Sequence, residues 1–183
     1  MSQTRTVAMV IGSLRKDSVS RKLANAFSGL QPDLQCKAIE IGDLPLFNQD
    51  READPPAEWV HFRNEIAACD AVLFVTPEYN RSVPGVLKNA LDVGSRPYGQ
   101  SVWNGKPGAV ISVSPGAIGG FGANHHLRQS LVFLNVPLLS QEAYVGNAFS
   151  LFDDSGALIN DGTRDFLQAQ GKAFAAWIER ILA

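Results

Sequence analysis

An apolar run gives way to polar and turn-forming residues in Ala71-Val72-Leu73-Phe74-Val75-Thr76-Pro77-Glu78-Tyr79-Asn80-Arg81-Ser82-Val83-Pro84-Gly85. Residues 71–75 lack polar alternation and are mostly β-branched or aromatic, which predicts a strand buried on both faces. Pro84 stands where a helix begins, and Leu87 and Leu91 follow at helical spacing. The order strand, loop, helix places the loop at the carboxyl end of a central strand, where open parallel sheets bind ligands.

Other strand and helix patterns flank this unit on both sides. Residues 7–11 are an apolar run ended by Gly12, and an amphipathic segment follows at 19–30. Residues 34–41 alternate in polarity and predict a strand at or near the edge of a sheet. The remaining predicted elements are a helix at 56–68 that packs Val60, Ile66 and Ala67 inward, a buried strand at 109–113, a helix at 124–134, a more exposed last strand beginning at 136–139, and a helix at 162–182 capped by Asp161 or Thr163.

Alternating strands and helices of these lengths predict an α/β fold, a doubly wound five-stranded parallel sheet with helices on both faces. The strand order 2-1-3-4-5 fits five such strands, and its switch point lies between strands 1 and 3. The loops after Ile11 and Val75 should then line one crevice, with the loop after Val113 beside them. A chain of 183 residues is most simply one domain, residues 1–183, with a core of its own.

Composition narrows the classes of partner. The formal net charge of −2 gives no electrostatic reason to expect nucleic acid or a membrane surface. Cys36 and Cys69 have neither C-x-x-C nor zinc spacing, which favours small core residues in a reduced, cytoplasmic protein. No apolar run approaches the ~20 residues that span a bilayer, so membrane insertion is not expected.

The first loop, residues 12–20, has the composition of a phosphate site. It combines the hydroxyls of Ser13, Ser18 and Ser20 with the guanidinium of Arg15, just before a helix amino end. Free N–H groups and the dipole at a helix start favour an anion. The loop is neither G-x-G-x-x-G nor a Walker loop, so a terminal monophosphate is favoured over a dinucleotide. The alternative is that Ser18 is only a helix cap and Arg15 a solvated charge.

The second loop could contact a flat ligand in two ways, through backbone N–H groups and through an aromatic ring. Because Pro77 restricts the chain, backbone N–H groups of Glu78, Tyr79 and Asn80 could meet the edge of a heterocycle. The Tyr79 ring could pack against its face or rim. In the alternative, Asn80 satisfies the turn backbone, Tyr79 is an ordinary surface aromatic and Arg81 is a solvated charge.

The third loop, residues 114–122, is rich in glycine and would let the backbone approach a ring closely. A plain mobile loop is the alternative. Singly, none of the three loops is specific, but three polar, glycine-bearing loops that converge on one switch point favour a bound ligand.

Side chains for acid, base or metal chemistry are sparse in these loops. Glu78 is the only carboxylate within the part of the second loop that should meet the ligand, and no nucleophile with its base accompanies it. His61, His125 and His126 are expected in surface or capping roles, because adjacent histidines on a helix diverge and do not clasp one metal. We therefore predict no metal site and no hydrolytic machinery.

The sequence resembles the NADPH-dependent FMN reductase family, most closely its bacterial quinone reductase and chromate reductase members. Residues 12–15 with Ser18 and Ser20 resemble the family's FMN phosphate loop, and residues 76–90 resemble its isoalloxazine loop. Further matches are Ser114, Gly116, Gly119 and Gly120 in the third loop and 126–128 in the following helix. The chain departs from the pattern at two positions: Val93 follows Asp92 where many relatives have tryptophan, and Arg81 stands where some have tyrosine.

The resemblance implies a flavodoxin-like domain that binds FMN and uses NADPH or NADH as co-substrate. Hydride transfer would occur at flavin N5 with no catalytic side chain, to quinones and, as a side activity, to chromate. The cofactor-binding residues it implies are Ser13, Arg15, Ser18, Ser20, Pro77, Glu78, Tyr79, Asn80, Ser114 and Gly116, with Arg81 and Gly119 as substrate-binding residues. It also implies a homodimer or homotetramer.

Two other classes of protein share the predicted topology but fit this sequence less well. A flavodoxin-type single-electron carrier with a protein partner would need a strongly acidic docking face. The small net charge and the cations near the predicted crevice, among them Arg15, Lys16 and Arg81, favour anionic small molecules instead. A signalling receiver domain would need an acidic cluster at the carboxyl end of the sheet, which the loop after Ile11 lacks.

Overall fold

The computed structural model describes residues 4–183. Its strands are β1 Arg5–Ile11, β2 Leu34–Ile39, β3 Ala71–Thr76, β4 Gly108–Val113 and β5 Ala143–Val145. Its helices are α1 Val19–Gly29, α2 Ala57–Ala67, α3 Gly85–Gly94, α4 Phe121–Phe133 and α5 Asp161–Leu182, with short 3-10 turns at Gln49–Arg51 and Ala148–Ser150.

The five strands form one parallel sheet of order β2-β1-β3-β4-β5, which confirms the predicted doubly wound topology. Every residue of β3 and β4 is buried, as expected of central strands covered on both faces. In β2 only the two end residues are buried, and this strand lies at the sheet edge as its mixed polarity predicted.

Each face of the sheet carries its own apolar layer, because successive strand side chains point to opposite sides. Val7, Met9 and Ile11 of β1 pack with Phe27 of α1 and Phe174 of α5. The alternate residues of the same strand pack with the second layer, in which the largest side chains are Trp59, Phe62, Phe74 and Trp103.

The last strand is not where the sequence pattern placed it. The segment at 136–139 makes only an isolated bridge, between Leu138 and Gly108, and the strand proper is β5 at Ala143–Val145. Pro137 has no N–H to donate to a ladder, although its carbonyl accepts from Gly108 N at 3.0 Å. Pairing with β4 resumes at Ala143, five residues after Leu138, opposite Ile111.

Two helix predictions also need correction. In α2 the buried side chains are Trp59, Phe62 and Ile66, while Val60 and Ala67 are exposed. Trp59 fixes this orientation because its Nε1 donates to Pro45 O at 2.9 Å. Helix α5 is capped neither by Asp161 nor by Thr163: Asn160 Oδ1 accepts from Thr163 N at 2.8 Å.

Helix α4 begins at Phe121, three residues before the predicted start, directly after a left-handed Gly120. Among residues 4–183, no helix is long and apolar enough to cross a bilayer.

Candidate functional site

The loops after β1, β3 and β4 converge at the carboxyl edge of the sheet and line a cavity of about 230 Å³. A second cavity of about 390 Å³ adjoins it, and Arg15 and Tyr79 line both. The first is lined by Ser13, Arg15, Ser18, Val19, Ser20, Pro77, Glu78, Tyr79, Val113, Ser114, Pro115, Ala148 and Phe149; the second by Gly12, Leu14, Arg15, Tyr79, Pro84, Gly85 and Val86.

Three serines of the first loop are buried by protein yet line the first cavity. Ser13, Ser18 and Ser20 are 5%, 3% and 2% exposed. Ser18 is the cap of α1, since its Oγ accepts from Arg21 N at 3.1 Å. A hydroxyl that accepts from the helix still has its own proton to donate, so the capping role and a ligand contact are compatible.

The start of α1 adds backbone donors to these hydroxyls. The N–H groups of Val19 and Ser20 lie in the first turn, where no intrahelical carbonyl is available to them, and both residues line the cavity. Arg15 is exposed at the cavity rim. Hydroxyl, amide and guanidinium donors at a helix start form a set that fits a phosphate group.

The second loop is a tight two-residue hairpin. Tyr79 and Ser82 exchange backbone hydrogen bonds, each of 3.0 Å, around Asn80 and Arg81. The Tyr79 N–H is therefore engaged within the turn and is not available to a ligand, contrary to our prediction. Within residues 4–183, the N–H groups of Glu78 and Asn80 have no acceptor and remain available.

The side chains of this loop point in different directions. Tyr79 is 47% exposed and borders both cavities. Glu78 accepts from Arg81 Nη1 at 2.9 Å through one oxygen and from Ala123 N at 3.1 Å through the other. In the part of the chain that the structure describes, Asn80 and Arg81 line neither cavity.

The third loop contributes Ser114 and Pro115 to the first cavity, whereas Gly116 lies outside both linings within residues 4–183. Gly119 is buried with a φ of +60°, and a Cβ there would stand 2.7 Å from Val145 N. Packing against β5 therefore accounts for glycine at 119.

Two lining residues escaped the sequence prediction. Ala148 and Phe149 belong to the 3-10 turn after β5, and Ala148 N donates to Ser114 O at 3.2 Å. The signal was the Gly146-Asn147 pair after an apolar run. Because the last strand was expected to begin at 136–139, the loop after residue 145 was not predicted to lie at the same edge of the sheet.

The two histidines of α4 make hydrogen bonds at the surface of this helix. His125 Nε2 lies 2.9 Å from Tyr144 OH, and His126 Nδ1 lies 3.0 Å from Ser82 Oγ. Desolvation and the hydrogen bond to Glu142 raise the pKa of Tyr144 to about 12. Within residues 4–183, no group of three histidine, cysteine or acidic residues is placed to hold a metal ion.

The family model of the NADPH-dependent FMN reductases matches residues 5–150, a span that contains the first three loops and both cavities' linings. The chain belongs to this FMN reductase family. It is therefore an oxidoreductase whose cofactors are FMN and NAD(P)H, and the donor set at the start of α1 fits the phosphate of that flavin.

Relatives of this FMN reductase extend along nearly its whole length. A quinone reductase of Pseudomonas putida is 66% identical over 182 residues, covering 98% of this chain and 97% of the relative. A 2-hydroxy-1,4-benzoquinone reductase of a Burkholderia species is 48% identical over 174 residues, covering 94% and 95%. Among solved structures, the flavoenzyme NAD(P)H:(acceptor) oxidoreductase FerB of Paracoccus denitrificans superimposes with a TM-score of 0.90 at 42% identity, covering 96% and 98%.

Proposed function

We propose that this FMN reductase family member reduces quinones with NAD(P)H by two-electron transfer. The names of the Pseudomonas and Burkholderia relatives support a quinone as acceptor. The bound flavin would supply the redox chemistry, taking hydride from the nicotinamide and passing two electrons to the quinone, while the protein binds and orients the reactants.

The observation that carries this proposal is the convergence of three loops on one cavity with buried serines at its wall. Ser13, Ser18 and Ser20, with Arg15 and the first N–H groups of α1, would hold the FMN phosphate. These residues would anchor the phosphate end of FMN beside α1 and leave the second loop for the rest of the flavin.

The flavin ring and ribityl chain would lie along Pro77, Tyr79, Ser114 and the neighbouring backbone. Free N–H groups of Glu78 and Asn80 supply donors for the ring edge, and Gly116 leaves room beside Ser114. The adjoining second cavity, which Tyr79 and Arg15 also line, would receive the nicotinamide and then the acceptor.

The predicted substrate contacts differ in how accessible they are. Arg81 has a 73% exposed side chain beside Tyr79 and could attract an anionic acceptor, although Glu78 offsets part of its charge. Gly119 is buried, and its contact with a substrate stays a prediction.

We infer three further properties: a side activity, an assembly state and a location. Chromate reduction would be a side activity of an accessible, electron-rich flavin beside cationic side chains. A homodimer or homotetramer would cover exposed apolar side chains such as Tyr98 and Phe133, which are 89% and 88% exposed. A cytoplasmic location fits the free thiols of Cys36 and Cys69.

Anaerobic reduction of the FMN-loaded protein tests the proposal. NADPH or NADH should bleach the yellow protein, and a benzoquinone added afterwards should restore the colour with one quinone consumed per flavin. Negligible oxidation of NAD(P)H, together with an abundant blue one-electron form on titration, would instead identify a flavodoxin-type carrier. Stopped-flow comparison of several quinones with chromate would rank the acceptors.

A further inference from the structure

The hairpin beside the two cavities has an unfavourable backbone. Asn80 and Arg81 have φ values of 52° and 63°, so two consecutive residues other than glycine occupy the left-handed region. Asparagine tolerates this region, but a residue with a long side chain such as arginine does so rarely. Turns of this shape favour asparagine followed by glycine. Contacts from outside the turn must therefore stabilise it.

Glu78 supplies two of those contacts from a largely buried position. Its side chain is 13% exposed. One carboxylate oxygen accepts from Arg81 Nη1 at 2.9 Å and the other from the backbone N–H of Ala123 at 3.1 Å. A single side chain thus ties the strained residue of the turn to the first turn of α4.

The start of α4 is shaped to receive this carboxylate. Its cap is Gly120, which has no side chain to accept the N–H groups of the first turn. A carboxylate at a helix start is favoured by the free N–H groups and the helix dipole. Gly122 permits the approach, because a Cβ there would stand 2.9 Å from both Arg81 O and Glu78 Oε2.

A second contact joins the same two elements, since Ser82 Oγ lies 3.0 Å from His126 Nδ1. Tyr79, at the other end of the hairpin, borders both cavities and is only half covered by protein. Its location therefore depends on the hairpin and not on core packing.

We propose that Glu78 is a positioning residue for the flavin site: its carboxylate links Arg81 to the start of α4 and so holds Tyr79 between the cavities. This inference rests on the proposed function, because it assigns Tyr79 to the flavin. Glu78 acts through the hairpin and does not itself take part in electron transfer.

The test compares Glu78→Ala, Glu78→Gln, Arg81→Gly and the double variant Glu78→Ala/Arg81→Gly. Glycine at 81 removes the backbone strain, so the hairpin would no longer need the carboxylate. Glu179→Ala is the matched control, because it removes a carboxylate that bonds an arginine, Arg5, at the opposite end of the sheet.

Two measurements distinguish effects on the hairpin from effects on FMN binding. In FMN-free protein, hydrogen exchange of the Tyr79 and Ser82 amides reports whether the hairpin is closed. In FMN-loaded protein, the dissociation constant and the visible absorption bands at saturation report the ring environment. For Glu78→Ala we expect exchange and the FMN dissociation constant to rise about tenfold, the scale of a lost hydrogen bond to a charged group.

The double variant should recover the hydrogen exchange rates, FMN affinity and absorption bands of the wild-type protein. The values for Glu78→Gln should lie between those of the wild-type protein and of Glu78→Ala. Unchanged values in Glu78→Ala would overturn the proposal, and so would a double variant no better than Glu78→Ala, since Glu78 would then serve only as a cap of α4. If the Glu78→Ala variant does not fold, the single variant Glu78→Gln and the double variant Glu78→Gln/Arg81→Gly are compared in the same way. Wild-type protein that closes the hairpin but binds no FMN would overturn the proposed function as well.

Discussion

The indole of Trp103 lies so close to Gly94 that a Cβ on Gly94 would stand 2.5 Å from Trp103 Cε2 and Nε1. Trp103 Nε1 donates to Leu91 O at 3.0 Å, and the side chain is fully buried. The indole of Trp103 therefore packs against the carboxyl end of α3. Val93 is buried here, and the large aromatic at the end of α3 comes from the loop that follows the helix.

We expect Gly94→Ala to lower the free energy of unfolding by about 1–3 kcal/mol, because the added methyl group overpacks the indole. In a Trp103→Phe background the same substitution should cost less, since the indole atoms that it would meet are gone. Urea denaturation of the four proteins of this double-mutant cycle gives the coupling. Equal costs in both backgrounds would show that the methyl group is accommodated elsewhere.

Within residues 4–183, Arg15 is the only arginine that lines the first cavity. Arg15→Ala should weaken FMN binding by about 1.5–3 kcal/mol, the range for a hydrogen bond to a charged group. Lys16→Ala is the control, because Lys16 is exposed on the same loop but lines neither cavity within residues 4–183. Fluorescence titration of FMN measures both. Equal losses for the two variants would indicate only a general effect of positive charge.

Ser18 has two roles that substitution can separate. Ser18→Ala removes the cap of α1 and should lower the free energy of unfolding by about 1 kcal/mol. Ser18→Asp keeps a capping acceptor but places a negative charge beside the proposed phosphate, so stability should be retained while FMN binding is lost. Thermal unfolding without FMN and FMN titration measure the two effects. Tight FMN binding by the Ser18→Asp variant would show that Ser18 does not contact the phosphate.

Phe149 lines the first cavity although its side chain is 74% exposed. Phe149→Ala should hardly change the stability of the FMN-free protein, yet should weaken FMN binding by about 0.5–1.5 kcal/mol if the ring packs on the ligand. Phe133→Ala, on an exposed residue at the end of α4, is the control. Isothermal titration calorimetry would show the difference, and identical affinities would argue against this contact.

The ion pair between Arg5 and Glu179 predicts a pH dependence of stability. The hydrogen bond from Arg5 lowers the pKa of Glu179 below its ordinary 4.5. Because the folded-state pKa is depressed, this stabilisation is present above the unfolded value and is lost as pH falls through the folded value. The wild-type protein should therefore have a higher melting temperature than the Glu179→Gln variant at pH 7. This difference in melting temperature should vanish in acid. A difference that persists in acid would point to packing.

Local sequence patterns were enough to predict the sheet and the edge at which its loops converge. The apolar runs at β1, β3 and β4 are continuous because both faces of these strands are covered, and each run ends in polar or glycine-bearing residues. Right-handed crossovers then bring the loops after these strands to one edge. Such local periodicity was sufficient to predict the converging loops around Ser18, Tyr79 and Ser114.

The contacts between residues far apart in the sequence could not be predicted and are known only from the folded structure. Glu78 bonds Ala123, 45 residues away, and Trp59 orients α2 through Pro45. The last strand lies at Ala143–Val145, and the turn that follows it brings Phe149 to the cavity. These contacts join side chains to backbone far along the chain, so no local pattern of polarity encodes them, and they form only when the packed elements bring donor and acceptor together.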